Sequence, residues 1–426
     1  MPDHLALLND VEECKTWLER ASKAARAASR TLGRSSDTDR SAALREAASS
    51  IRSRQNDILD ANEQDVRAFN GPEPLRDRLT LSPARIEAMA ASLEEIAGQP
   101  DPLHRVLDSW TRPNGLHIER VPSSIGVIGM IYESRPNVGI DAAGLCIKSG
   151  NAVILLGGSE TRTTAAVLHA AIADGLNQAG LPGEAVQIVP TTDRAMVAAM
   201  LAAAGQIDLL IPRGGMSLVE RVQREARVPV LSHADGICHT YIHEAADLEK
   251  ANAVLANAKL RRVSVCGATE TLLIDAARAS AWLPRIVEEM AAKGCTFRGD
   301  ERVRSILPII PGATEDDFHT EWQDAVLSIA VVDGLAGAVA HIALYGSGHT
   351  DAILTEDEAT ARHFLAEVDS AVTIWNASTQ FSDGGEFGFG AEIGISTGRI
   401  HARGPIGAEQ LTTSRYNIMG TGQVRP

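Results

Sequence analysis

The sequence predicts an α/β protein built on a doubly wound parallel sheet, and three observations carry that prediction. Short apolar runs at 125–131, 152–156 and 186–189 alternate with helical stretches, as strands joined by crossover helices require. The 426 residues exceed what one ordinary core holds, so two or three domains are expected. Aromatic residues are only 4% while Ala, Gly and Val abound, which fits an α/β enzyme better than a reader of nucleic acid built on stacking platforms.

The elements follow in order. Val11, Trp17, Leu18, Ala21, Ala24, Ala25 and Ala28 recur at helical spacing, and residues 41–69 repeat the pattern, so residues 9–70 read as a surface-packing helical layer. Residues 101–104 are a break. Residues 109–121 read as a hairpin around Pro113-Asn-Gly115. The strand 125–131 carries Gly126 and Gly129 as packing residues. A helix spans 141–149. The strand 152–156 ends at Gly157-Gly158, with Ser159 as N-cap of a helix from Thr161. Strands at 186–189, 207–211 and 228–231 complete the first block. A second block, 264–382, offers strands at 271–274, 327–332, 352–354 and 371–375. Beyond it the chain is Gly-rich and ends in an alternating strand at 411–416, which is expected to add to another sheet, a neighbouring subunit's being one candidate.

The formal net charge of −15 argues against a nucleic-acid partner but leaves room for a small anion in a local Arg/Gly pocket. The five cysteines are odd in number, widely spaced and form no CxxC pair, which points to a reducing, cytoplasmic compartment. Neither a signal-peptide pattern nor an apolar run of about 18 residues is present, so no membrane association is expected.

No GxGxxG fingerprint opens the sheet. Two other strand-to-helix turns offer backbone N–H groups to an anion: Leu156-Gly-Gly-Ser-Glu160 and Ile211-Pro-Arg-Gly-Gly-Met-Ser217. His233, Asp235, Cys238, His239 and His243 have metal-ligand chemistry without a standard zinc spacing, and a structural or active-site loop is the preferred reading, with no metal assigned. The segment Ile131-Tyr-Glu-Ser-Arg-Pro-Asn-Val138 leaves a strand's carboxyl end, where such sheets place ligands. Arg135 there offers a fork for phosphate or carboxylate, and Asn137 an amide for a developing oxyanion. Cys266 lies among small residues just before the strand 271–274. With Lys259, Arg261 and Arg262 near it in sequence, its thiol is expected to be held partly as thiolate. Beside a nicotinamide, that thiolate suits a thioacyl intermediate that gives or takes a hydride.

Long ordered motifs resemble one family across almost the whole chain. They include Trp110-Thr-Arg-Pro-Asn-Gly115, Ile125-Gly-Val-Ile-Gly-Met-Ile-Tyr-Glu-Ser-Arg-Pro-Asn137, Lys148-Ser-Gly-Asn-Ala-Val-Ile154 and Asp235-Gly-Ile-Cys-His239. Tyr345-Gly-Ser-Gly-His-Thr-Asp351, Asn376-Ala-Ser-Thr379, Glu386-Phe-Gly-Phe-Gly-Ala-Glu-Ile-Gly-Ile-Ser-Thr397 and His401-Ala-Arg-Gly-Pro405 continue the series. The chain resembles the gamma-glutamyl phosphate reductases, or glutamate-5-semialdehyde dehydrogenases, of the aldehyde dehydrogenase superfamily.

The resemblance implies an aldehyde-dehydrogenase-like α/β fold. Its parts would be a Rossmann-type cofactor domain (1–107 and 122–258), an α/β catalytic domain (259–385) and a small β oligomerisation arm (108–121 and 400–426). It implies NADPH-dependent reduction of L-glutamyl 5-phosphate to L-glutamate 5-semialdehyde and phosphate, the second step from glutamate to proline. Cys266 would be the nucleophile and Asn137 the oxyanion donor. Gly157, Gly158, Ser159, Arg213, Gly214, Gly215 and Glu321 would bind NADPH/NADP, and Arg135, His239 and Ser378 the substrate. The region around His233 lacks the water-activating glutamate of hydrolytic relatives, and the small Ser159 tolerates a 2′-phosphate. A homo-oligomer, dimer or tetramer, and glutamate 5-kinase as partner are further implications. Three positions depart from the family pattern: Leu156 where Arg is common, Gly267 where Asn is common, and Gln380 where Arg is usual. Two alternatives stay open, an oxidoreductase of this fold acting on another aldehyde and a non-catalytic nucleotide-binding homologue.

Overall fold

The computed structural model describes residues 11–133, 135–191, 193–232 and 235–425. Five helices open the chain: α1 (Val11–Leu32), α2 (Asp37–Ser53), α3 (Gln55–Ala68), α4 (Glu73–Leu79) and α5 (Pro83–Gly98). Ser36 and Asp39 close a capping box at the start of α2, satisfying N–H groups that the first turn leaves open. The layer is more than a surface veneer. Leu44, Ile51, Ile86 and Leu93 are fully buried in one core with the sheet behind them. The buried Arg40 guanidinium joins Lys148 O at 3.1 Å to Asp101 at 2.7 Å, fixing α2 against the irregular stretch at 101–104.

A ribbon follows, β1 (Asp108–Thr111) antiparallel to β2 (His117–Ser124). The first α/β unit comprises β3 (Val127–Tyr132), α6 (Pro136–Lys148), β4 (Ala152–Leu156), α7 (Arg162–Gln178), β5 (Val186–Ile188), α8 (Arg194–Leu201), β6 (Leu209–Arg213) and α9 (Met216–Glu225). Its sheet is parallel, in the order β5-β4-β3-β6. β3 and β4 read as near-continuous apolar runs because helices cover both faces.

The second unit holds β7 (Cys238–Ile242), α10 (Leu248–Leu260), β8 (Thr269–Asp275), α11 (Ala276–Ala291), β9 (Thr296–Gly299) and α12 (Glu301–Ile306). It continues with α13 (Glu315–Phe318), β10 (Val326–Val332), α14 (Gly334–Tyr345), β11 (Thr350–Leu354), α15 (Glu358–Glu367) and β12 (Val372–Trp375). Its six parallel strands run β12-β11-β7-β8-β10-β9. β13 (Ile395–Ser396) and β14 (Gly404–Pro405) form a small pair, and β15 (Thr412–Met419) returns to β2 along its whole length.

Several expectations change. Residues 228–231 form no strand and make only a bridge from Leu210 to Val230; Pro229 has no N–H to give a ladder. The tail strand pairs within its own chain. Ser159 makes no side-chain cap bond; Ser159–Thr161 is a 3-10 turn and α7 begins at Arg162. Gly126 lies outside β3 at φ +129, where a Cβ would strike the Asp208 carboxylate at 2.2 Å. The segment around Cys238 is not a loop but β7, at the centre of the second sheet. That sheet therefore takes in residues well ahead of the boundary expected at 258/259.

Candidate active site

Cys266 sits half-buried on the loop between α10 and β8. Two features hold the loop. Lys259, near the end of α10, forms an ion pair with Glu270, in β8; both are fully buried, so the pair clasps the loop at its two ends. Beneath, the Cys238 thiol donates to the Cys266 carbonyl at 3.2 Å, and a Cβ on Gly236 would meet that carbonyl at 2.2 Å. Only glycine lets the backbone approach so closely. The strip after Ser378 closes the other side: a Cβ on Gly267 would meet Thr379 O at 3.1 Å, which leaves little room for the asparagine common there.

The thiol is not lowered by its sequence neighbours. Lys259 is committed to Glu270, and Arg261 donates to Gln380 Oε1 at 3.2 Å. Burial pushes the Cys266 thiol up to about 11. Arg213 opposes the shift, while Glu392 and Glu321 reinforce it.

Arg213 ends β6 and Arg135 precedes α6, so two βα turns of the first sheet deliver cations toward the sulfur. Arg135 is pulled down to about 10, first by burial and then by Arg78, Arg213 and Arg262, with Cys266 acting the other way. None of these four guanidinium groups has a hydrogen bond or ion pair among the described residues. Arg135 thus has three guanidinium groups and the Cys266 thiol as neighbours, a cluster of cations beside the nucleophile that suits an anion. Arg78 was not anticipated, and Arg262 only as a sequence neighbour of the thiol. Arg78 lies in α4, far upstream in sequence, and no local pattern sets it apart from the other arginines of the helical layer.

The other anticipated residues divide. Asn137 is exposed in the first turn of α6, and its amide donates to Asp141 Oδ2 at 3.3 Å rather than toward Cys266. Gly157 lies at the carboxyl end of β4, where a Cβ would meet Tyr132 and Thr161 at 3.1 and 3.2 Å, and Ser159 is exposed beyond it. That bare backbone at the mouth of a parallel sheet fits a nucleotide phosphate. The second turn does not: Gly215 N already donates to Glu133 Oε2 at 3.0 Å, and a Cβ on Gly214 would meet that carboxylate at 2.5 Å. Arg213 lies within electrostatic reach of Cys266, at the other side of that turn. Glu321 accepts the Gly236 N–H and is raised by burial, close enough to affect the thiol.

His239 is fully buried in β7, bound through Nδ1 to Asp351 at 2.9 Å and edge-on to His341, with Nε2 unpaired among the described residues. Ser378 is also buried, and its hydroxyl caps the turn Thr379–Phe381. Gln380 bonds Ala258 O at 2.9 Å and Arg262 O at 3.3 Å, tying the strip to the nucleophile loop as a neutral anchor. Leu156 is packed in the core, where an arginine would need a partner. His233 lies outside the described residues.

The aldehyde dehydrogenase family profile matches residues 9–303. A gamma-glutamyl phosphate reductase of Gluconobacter oxydans is 62% identical over 94% of this chain and 94% of its own. One of Acidiphilium cryptum is 63% identical over 96% and 97%. The crystal structure of a gamma-glutamyl phosphate reductase from Thermotoga maritima superposes with a TM-score of 0.93 at 42% identity, over 96% of this chain and all of that one.

Proposed function

The chain belongs to the gamma-glutamyl phosphate reductases of the aldehyde dehydrogenase family, and from that premise we propose how its residues share the work. The reaction is the reduction of L-glutamyl 5-phosphate to L-glutamate 5-semialdehyde and phosphate, the second step from glutamate to proline. A nicotinamide cofactor supplies the hydride.

The observation that carries the assignment of roles is the cluster of four arginines, centred on Arg135, beside one half-buried cysteine. Arg135 and Arg213 hold the acyl phosphate, whose charge takes the place of the missing carboxylate partners. Arg78 and Arg262, both exposed, hold the substrate's α-carboxylate at the mouth. The Cys266 thiolate attacks the acyl carbon, and the tetrahedral oxyanion is met by the Cys266 N–H and by an Asn137 amide hydrogen that Asp141 leaves unused. The C–O bond to phosphate breaks, and the phosphate stays between Arg135 and Arg213. After hydride delivery to the thioester carbon, the C–S bond breaks, releasing the aldehyde and returning the thiolate. The bulk of Gln380 and Thr379 over Gly267 helps keep water from the thioester.

The cofactor is proposed to be NADPH rather than NADH. Ser159 presents a small hydroxyl at the turn, and the Glu160 side chain folds back over Gly158, within electrostatic reach of Tyr132. The ribbon of β1, β2 and β15 exposes Trp110, Tyr416, Ile418 and Met419, which supports its reading as an oligomerisation arm. No disulfide joins any of the five cysteines, which supports a cytoplasmic setting.

Glutamate semialdehyde oxidation in the presence of phosphate tests the assignment. NADP reduction is expected to require phosphate and to fall at least about 10³-fold in Cys266→Ala, on the scale seen when an activated nucleophile is removed. Turnover without phosphate, or an undiminished Cys266→Ala rate, would overturn it.

A further inference from the structure

At the amino ends of β3 and β4 lies a second cleft, of about 560 Å³, between the last turn of α1, residues 103–106 and the arm strands β2 and β15. That volume is within the range of small-molecule sites. Its wall contains Arg30, Arg34 and Arg415, and none of the three has an ion pair or hydrogen-bonded side chain among the described residues. The hydroxyls of Ser123 and Ser124 and the Asn417 amide line the same space, likewise without protein partners. Two further cationic groups in the wall, Arg105 and His104, are already held by Glu409 and Asp101. Among the described residues no carboxylate lines the cleft, although the chain carries a net charge of −15.

One ordinary cause covers part of this. The carbonyl end of α1 attracts a cation, which accounts for Arg30. It does not account for Arg415, which comes from β15 and lines the same cleft. The floor is built tightly: a Cβ on Gly33 would meet Ser124 Oγ at 2.9 Å, and one on Gly150 would meet Gly33 Cα at 3.0 Å.

We propose that this cleft is a second anion site, which takes a polyphosphate group, inorganic or carried by a nucleotide. Three guanidinium forks with neutral donors between them match several phosphate oxygens better than a single carboxylate. The site is separate from the catalytic pocket. The turn Gly157–Ser159 lies at the other end of β4, a strand of five residues, hence about 15 Å away or more.

Calorimetric titration of the full chain with sodium tripolyphosphate and, separately, with ATP tests the proposal, each with and without saturating NADPH. Saturable binding is expected, undisturbed by NADPH, weakened at least tenfold in Arg34→Ala/Arg415→Ala and unchanged in Arg20→Ala. Equal binding of the two probes assigns recognition to the phosphates alone, and tighter binding of ATP adds a nucleoside contact; both sustain the site. The double variant is expected to keep its reductase rate, which certifies its fold. Should it not fold, Arg415→Glu, on the exposed arm strand, is expected to lose tenfold by itself. No saturable binding to the natural chain, equal binding by the variants, or displacement by NADPH would overturn the proposal. So would a natural chain that binds neither probe while Arg415→Glu changes the oligomer mass, since a second copy would then occupy the cleft.

Discussion

Two charge systems flank Cys266, and they differ in one respect: one is closed and the other open. Behind the nucleophile, Lys259 and Glu270 are fully buried and paired with each other through Glu270 Oε2. In front of it, Arg78, Arg135, Arg213 and Arg262 face the same space with no protein carboxylate bound to any of them. A closed pair holds backbone in place and leaves nothing for a ligand. An open cluster raises the free energy of the empty pocket through mutual repulsion, which an arriving dianion relieves. The first system is architecture, the second is recognition, and substitutions on the two sides should separate accordingly.

The largest effect is expected from Lys259→Met. It leaves Glu270 without its cation in a buried site, at a cost of about 3–5 kcal/mol. The measurement is chemical denaturation, with activity lost in parallel because the nucleophile loop is no longer clasped. The pH dependence has a definite sign. Burial already lifts Glu270 to about 7 despite Lys259, and loss of the lysine lifts it further. A carboxyl raised in the folded state keeps its proton when the unfolded one releases it, so the folded state loses ground as pH rises above the unfolded value near 4.5. The stability gap between variant and parent should therefore widen from pH 5 to pH 8. Lys259→Met/Glu270→Leu should recover most of the loss, since a well-packed apolar pair can replace a buried ion pair.

Arg213→Met should do the reverse. It removes one of the two cations proposed to hold the acyl phosphate, worth about 1.5–3 kcal/mol for a charge-assisted bond, so the KM for phosphate in the oxidative direction should rise about 10- to 100-fold. Its melting temperature should fall far less than that of Lys259→Met, because Arg213 has no hydrogen-bonded protein partner among the described residues and relief of its repulsion with Arg135 offsets the lost attraction to Glu392 and Asp141. A variant that lost stability as Lys259→Met does would erase the distinction between the two systems.

What the sequence revealed follows the same division. Cys266 and Arg135 stood out by local pattern, Cys266 among small residues just before a strand and Arg135 in a long motif that leaves one. β7 was not, because its run Cys-His-Thr-Tyr-Ile places His239 and Thr240 in the core, and polar residues there read as a loop until Asp351 and Thr269 are seen to satisfy them. Arg78 was invisible for a different reason: it reaches the site only through tertiary packing of α4. Lys259 looked like a cation available to the thiol. Its true partner, Glu270, lies eleven residues on, across a loop whose path no periodicity encodes. The position of a charge along the chain gave its sign and not its address.

The thiol provides the finest test of the comparison, because it senses both walls at once. With its ionisation pushed up to about 11, free enzyme at pH 8 should react with iodoacetamide more slowly than an exposed cysteine does, and the rate should climb tenfold per pH unit up to that value. Arg213→Met removes the group that favours the thiolate and should slow alkylation several-fold. Glu392→Gln removes one that opposes it and should speed alkylation by a similar factor. Glu392 is itself raised to about 7 by burial, so its influence grows as it ionises: the Glu392→Gln effect should be small at pH 6 and larger at pH 8. An effect of constant size across that interval would mean that the substitution acts by reshaping the loop rather than through its charge.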